Sequence, residues 1–158
     1  MKSNHITRQG WQKLDDEFKY LWKIKRPEIT RIVSFAAAQG DRSENGDYIY
    51  NKRLLREIDQ RIRFLDKRLD ILKIVDYSPQ QEGKVFFGAS VEIEDEAGEI
   101  SNFRIVGTDE TDIDKHFISI NSPMAMALIG KQVDDEVKVK LPKGSKTVFI
   151  NKIDYRCQ

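Results

Sequence analysis

The sequence predicts an α+β chain, with an N-terminal antiparallel coiled-coil helical hairpin followed by a small antiparallel sheet that carries one short helix. Three observations predict it. Apolar residues of the first half recur at helical spacing, those of the second half alternate at strand spacing, and a stretch holding Pro79 and Gly83 separates the two. The expected limits are residues 1–76 for the coiled coil, 77–83 for the linker and 84–158 for the sheet domain.

Thr7 is the expected N-cap of the first helix, with Ile6 before it. Trp11, Leu14, Phe18 and Leu21 fall on one helical stripe, which resumes at Ile29, Ile32, Val33 and Ala36. Pro27 interrupts the stripe. It lacks a backbone donor, so one helix kinked at the proline is expected rather than two. The next helix has heptad spacing: Tyr48, Leu55, Ile62 and Leu69 at one position, Asn51, Ile58, Leu65 and Leu72 at another. Asn51 on that seam is expected to set register. Residues 39–46 between the helices hold no apolar side chain and two glycines, and so read as a turn.

Beyond the linker, Val91–Glu94, Phe103–Val106, Phe117–Ile120, Val137–Leu141 and Val148–Tyr155 read as strands. Ser122 followed by Pro123 marks the start of a short helix over 123–129, and Gly130 marks its end.

Composition excludes several classes. There is no run of 18 apolar residues, so no membrane span is expected. No apolar stretch follows Met1, so a secretory leader is not expected and the cytoplasm is the expected location. One cysteine, Cys157, and two histidines, His5 and His116, argue against disulfides and thiolate zinc. Nucleotide-binding loops, nucleophile elbows and zinc-protease motifs are missing, so a self-contained enzyme is not expected. The formal charge of +1 hides an asymmetry: residues 1–78 hold 17 basic and 12 acidic residues, residues 79–158 hold 10 and 14. Two surfaces for two partners are the expectation.

Three groups of residues could carry chemistry. The first is acidic: Asp41, Glu44 and Asp47 cluster at the turn. Asp41-x-x-Glu44 has the spacing of a helix capping box, and that reading stands beside a functional one in which the carboxylates offer hard oxygen ligands to Mg²⁺. Two carboxylates alone bind Mg²⁺ weakly, which points to a partner that supplies the remaining ligands. The second group is basic. Arg53, Arg56, Arg63 and Lys67 fall on the helix face opposite the seam, flanked by Lys52 and Arg61, and suit phosphate backbones. The third is Ser122-Pro123-Met124-Ala125-Met126, whose methionines could be core or an adaptable docking surface.

The tip Gly40-Asp41-Arg42-Ser43-Glu44-Asn45-Gly46-Asp47-Tyr48 resembles the signature of the GreA/GreB family of transcript cleavage factors of bacterial RNA polymerase. Residues 73–89 are most similar to its GreB branch, and Ile118-Ser119-Ile120 with Ser122-Pro123-Met124-Ala125 is also family-like. The resemblance spans about residues 5–155. It implies an N-terminal coiled coil that enters the secondary channel of the polymerase and a C-terminal FKBP-like domain, without isomerase activity, that docks at the channel rim. By resemblance Asp41 and Glu44 are the catalytic residues and hold Mg²⁺ jointly with the polymerase, at the 3′ end of backtracked nascent RNA. Ser43, Asn45 and Asp47 support the tip. Lys52, Arg53, Arg56, Arg61, Arg63 and Lys67 bind nucleic acid, and Asn121, Ser122, Pro123 and Met124 dock on the polymerase. A cytoplasmic monomer with RNA polymerase binding and DNA-binding character is implied. Two positions depart from the pattern: Gly46 stands where the branch often has Ala, and Asn121 where an acid often precedes Ser-Pro. Two competing readings are a channel regulator that inhibits without stimulating cleavage and a nucleic-acid binder unrelated to polymerase.

Overall fold

The computed structural model describes residues 3–40 and 44–155. In chain order the elements are β1 (His5–Ile6), α1 (Arg8–Tyr20), a π-helical turn (Leu21–Lys25), α2 (Arg26–Ala37), α3 (Gly46–Ile71), β2 (Lys73–Ile74), a 3-10 turn (Pro79–Gln81), β3 (Ser90–Asp95), β4 (Ile100–Val106), β5 (Phe117–Ser119), α4 (Pro123–Leu128), β6 (Glu136–Leu141) and β7 (Gly144–Asp154). By its contacts the chain divides into two compact units, Trp11–Ile71 and Met1–Gly10 with Leu72–Gln158.

In the helical unit α1 and α2 form one continuous helical run through the π turn, whose flanking residues Tyr20, Lys25 and Arg26 all keep right-handed helical backbone. Pro27 is the cause. Its ring would meet the carbonyl four residues back and it has no N–H to donate. Widening the preceding turn, with the Arg26 N–H bonded to the Leu21 carbonyl, accommodates it. The expected kink is therefore a local change of helical pitch. α3 has 26 residues and runs about 39 Å. Its seam follows the heptads: Ile58 and Ile62 pack with Ile29 and Val33 of α2, flanked by Phe18, Leu21, Tyr48, Leu54 and Leu55. Two ion pairs cross between the helices at the seam's margin. Arg26 bonds Asp59 at 2.7 Å, and the Arg61 fork holds both Glu17 oxygens at 2.7 and 2.9 Å. Asn51 does not set register. Its amide donates to the Asp47 carbonyl one turn back in its own helix, at 2.9 Å.

The sheet unit has strand order β5-β4-β3-β7-β6. All neighbours are antiparallel except β4 and β5, which run parallel. Residues 107–116 join those two strands, long enough to carry the chain back, whereas the tight turn at Gly98 (φ +84°) makes β3 and β4 a hairpin. Inward residues of four strands, among them Val91, Ile93, Ile105, Val139, Val148 and Ile150, form the core, and α4 closes it with Ala125 and Leu128. Ser122 caps α4 by accepting from the Ala125 N–H, and Gly130 follows with φ +83°. The Tyr155 hydroxyl donates to the Lys84 carbonyl at 2.5 Å and accepts from the Phe86 N–H at 2.9 Å, tying the chain's end to the loop before β3.

The division between the units differs from the limits 1–76, 77–83 and 84–158 at both ends of the helical segment. β1 and β2 pair in parallel, so His5 and Ile6 join Lys73 and Ile74 in the sheet unit. Glu110 strengthens that attachment. Its carboxylate accepts from the Thr7 hydroxyl, the Thr7 N–H (2.9 Å) and the Gly107 N–H (2.9 Å). Thr7 in turn caps α1 by accepting from the Gly10 N–H at 3.0 Å. The expected linker also carries a capping box, in which Ser78 and Gln81 exchange hydrogen bonds across the 3-10 turn.

Two outcomes follow. A Cβ on Gly10 would overlap the Glu110 carboxylate. Gly10→Ala, ordinarily favourable in a helix, should here destabilise by about 1–3 kcal/mol, read as a lowered Tm. The Arg61 guanidinium, chiefly by its hydrogen bonds, holds the Glu17 carboxyl below its usual range against the opposing effect of burial. A depressed folded-state value gives stability that is complete above the unfolded-state value of about 4.3 and is lost as pH falls through the folded one. The wild type should therefore lose up to about 1 kcal/mol of stability below about pH 4 that Glu17→Gln does not lose, measured by denaturant melts across that range.

Candidate nucleic-acid and metal site at the hairpin end

Asn45 closes the hairpin. Its side-chain amide donates to the Ala36 carbonyl at the end of α2 (2.7 Å), and its oxygen accepts from the Tyr48 N–H in the first turn of α3 (3.1 Å). One short side chain thus bonds a carbonyl at the end of one helix, which also accepts from the Gln39 N–H, and satisfies an orphan N–H at the start of the next. The capping-box reading of Glu44 is overturned by this geometry. The N-cap is Asn45, and Glu44 precedes it, outside the helix. Glu44 is exposed, and none of the described residues bonds its carboxylate. Asp47 is exposed in the first turn of α3, where the helix dipole favours an acid. Asp41 and Ser43, also expected at this end, lie outside the described residues. Gly46 begins α3 with open space around its Cβ position.

A groove of about 480 Å³ lies at this end of the hairpin. Ile32, Phe35 and Ala36 of α2 form its apolar wall. Gln39, Glu44, Asn45 and Asp47 form its polar wall. Phe35 is 71% exposed. The sequence reading did not single out Phe35. Its signal is that it stands one position before Ala36 and two after Val33, off the buried stripe, where an apolar residue has no packing role.

Carboxylate oxygens are hard ligands of the kind Mg²⁺ takes. Among the described residues, however, there is no group of three or more acidic, histidine or cysteine side chains able to hold a metal. Glu44, whose carboxylate has no bonding partner among the described residues, could supply one such oxygen ligand.

Lys52, Arg53, Arg56, Arg63 and Lys67 are exposed on α3, and no carboxylate among the described residues pairs with them. Arg61 differs from its expected place among them, because its fork is engaged with Glu17 and its guanidinium lies 5.3 Å from the Phe64 ring centre. In the sheet unit, Ser122 donates to the Ser119 carbonyl at 2.7 Å besides capping α4, and Met124 packs on the core. Asn121 and Pro123 are exposed. The methionine that faces solvent is Met126, 67% exposed, in a groove of about 390 Å³ shared with Pro123, Ala127, Lys138 and Lys140. Pro123 and Met126 are three apart on one helix face, and Lys138 and Lys140 alternate on one face of β6, so both periodicities carried the signal.

Residues 4–74 match the family model described as transcription elongation factor, N-terminal, and residues 80–155 match that described as transcription elongation factor GreA/GreB, C-term. The transcription elongation factor GreB of Haemophilus ducreyi is 64% identical over 154 residues, covering 98% of this chain and 95% of that protein. GreB of Vibrio vulnificus is 65% identical over 156 residues, covering 98% of each. Among solved structures, the GreA factor homolog 1 (Gfh1) of Thermus thermophilus is 24% identical, with 95% of this chain and 97% of that one covered at a TM-score of 0.42. With both halves matched, and relatives this similar over nearly the whole chain, the protein belongs to the GreA/GreB family of transcription elongation factors.

Proposed function

We propose that this factor stimulates Mg²⁺-dependent endonucleolytic cleavage at the 3′ end of backtracked nascent RNA, acting through bacterial RNA polymerase and not alone. The hairpin end enters the secondary channel, and the factor works as a monomer. The observation that carries the reading is the Glu44 carboxylate, exposed and without a bonding partner among the described residues, while Asn45 does the capping that would otherwise occupy it.

Glu44 and Asp41 would supply oxygen ligands to an ion whose other ligands come from the polymerase. Bound there, the ion would stabilise the charge that develops on the attacking and leaving oxygens of a phosphodiester displacement. The chain's own contribution is placement. Asn45 fixes the backbone beside Glu44, and among the described residues no cation pairs with the carboxylate. Lys52, Arg53, Arg56, Arg63 and Lys67 hold phosphates of the extruded RNA. Arg61 fixes the helix pair instead. The groove of Pro123, Met126, Lys138 and Lys140 is the docking face of the sheet unit, with an apolar centre and two cations at its rim suited to an acidic surface with an apolar centre.

A cleavage assay on a backtracked complex with end-labelled RNA tests the reading. Wild type should shorten the RNA. Asp41→Asn and Glu44→Gln should keep helix content and polymerase binding while losing cleavage on the order of a hundredfold. Binding without shortening by the wild type would make the factor an inhibitor of the channel. Loss of helix content in Glu44→Gln would return that carboxylate to a structural role.

The basic face gives a second outcome. Arg53→Glu with Arg56→Glu should reduce cleavage more on complexes with long extruded RNA than on short ones. The salt slope of the long-RNA reaction should fall by about 0.7 for each phosphate contact removed. Equal loss on both lengths would argue against phosphate contact by this face.

A further inference from the structure

We propose that the groove beside the hairpin end seats a nucleobase of the extruded RNA, with the Phe35 ring as its stacking face. The inference rests on the cleavage reading above and assigns a residue that it leaves unused.

Phe35 is the most exposed aromatic side chain among the described residues, at 71%. The fold does not need it there. The seam takes Ile29, Val33 and Ala36 of the same helix, and phenylalanine is a modest helix former. Ile32, one turn earlier on the same face, is 38% exposed and extends the apolar wall. The groove's volume, about 480 Å³, lies in the range of sites that seat small ligands.

The opposite wall selects the occupant. Gln39 gives its amide N–H₂ to the Phe35 carbonyl at 3.4 Å, which leaves its oxygen to accept, and Glu44 and Asp47 are acceptors only. The groove thus joins a π-face to a row of acceptors. A ligand that fits both is flat, uncharged and edged with N–H donors. The amino-bearing bases adenine, guanine and cytosine have that shape. A phosphate would meet two carboxylates of its own sign. An aliphatic protein segment would suit Phe35 and Ile32 but would desolvate the carboxylates without giving them donors, which is costly. Stacking on the Phe35 ring is open to every base, and the acceptor row then favours the amino-bearing ones.

The test uses a backtracked polymerase complex whose RNA carries a 3′-terminal 2-aminopurine, with Ca²⁺ in place of Mg²⁺ so that fluorescence is read without cleavage. Wild type and Phe35→Tyr should quench the probe, while Phe35→Leu and Phe35→Ala should not. In Mg²⁺, Phe35→Leu and Phe35→Ala should cleave about tenfold more slowly, with Phe35→Tyr near wild type. At 71% exposure the side chain can be truncated without a cavity, and circular dichroism with polymerase binding checks that the variants fold and dock. If Phe35→Leu quenches and cleaves like wild type, the proposal is overturned in favour of an apolar protein contact. Equal fluorescence with wild type and Phe35→Ala overturns it whatever the cleavage result. If wild type quenches the probe but shortens no RNA, stacking holds and the cleavage reading fails.

Discussion

A pair of helices has only the stripe between them to bury. Here that stripe is narrow, with Ile29 and Val33 facing Ile58 and Ile62 and partly buried neighbours at its margins. At about 1.5–3 kcal/mol for each large apolar side chain, those few residues supply most of what keeps the helices paired. The cross-helix ion pairs Arg26–Asp59 and Arg61–Glu17 are half exposed, so they add little stability. What they add is register, since bidentate geometry at Arg61 is lost if one helix slides by a residue. A core that narrow leaves Phe35 exposed and leaves Lys52, Arg53, Arg56, Arg63 and Lys67 of α3 exposed with no carboxylate partner among the described residues.

The two ends of the helical run are treated differently. At its beginning, Thr7 is buried and bonded to Glu110, and Gly10 makes room for that carboxylate. The Thr7 N–H and hydroxyl both bond Glu110 there, so displacing the start of α1 would strand several polar groups at once. At the hairpin end, among the described residues, Asn45 bonds both α2 and α3. That arrangement leaves the Glu44 carboxylate without a bonding partner among the described residues. A Glu at the third helical position would have been drawn back onto the backbone, whereas a short Asn cap leaves Glu44 one residue outside the helix.

Periodicity made the helices, the seam, five of the strands and the short helix legible, because burial on one face imposes spacing on the chain. What it could not reveal has no spacing. β1 and β2 are two residues each, and their pairing joins residues 68 apart in sequence. Glu110 meets Thr7 across 103 residues. Asn51 sat at a seam position, yet a helix backbone carbonyl was the nearer acceptor. Arg61 lay on the margin of the basic face by heptad arithmetic, but that margin borders α1, where Glu17 captures it. The acidic end was visible from composition, whereas the role of Asn45 depends on the Ala36 carbonyl nine residues earlier, which only the closed hairpin brings within reach. Met124 and Met126 were indistinguishable in sequence. The direction of the helix face sends one into the core and the other to solvent.

On the proposed function, a metal site completed only by a partner would also be a device of control. A chain with enough carboxylates to hold Mg²⁺ by itself would gather like charges at an exposed hairpin end and would be competent toward any RNA it met. Glu44, with Asp41 on the proposed reading, is too small a set for that. Among the described residues no other acidic cluster makes up the difference. On that reading chemistry would depend on a second protein contributing ligands, and the sheet unit, which has its own groove and core, could be selected separately for docking. Affinity would then be set at one surface and the reaction at another, so that weakening either would leave the other measurable.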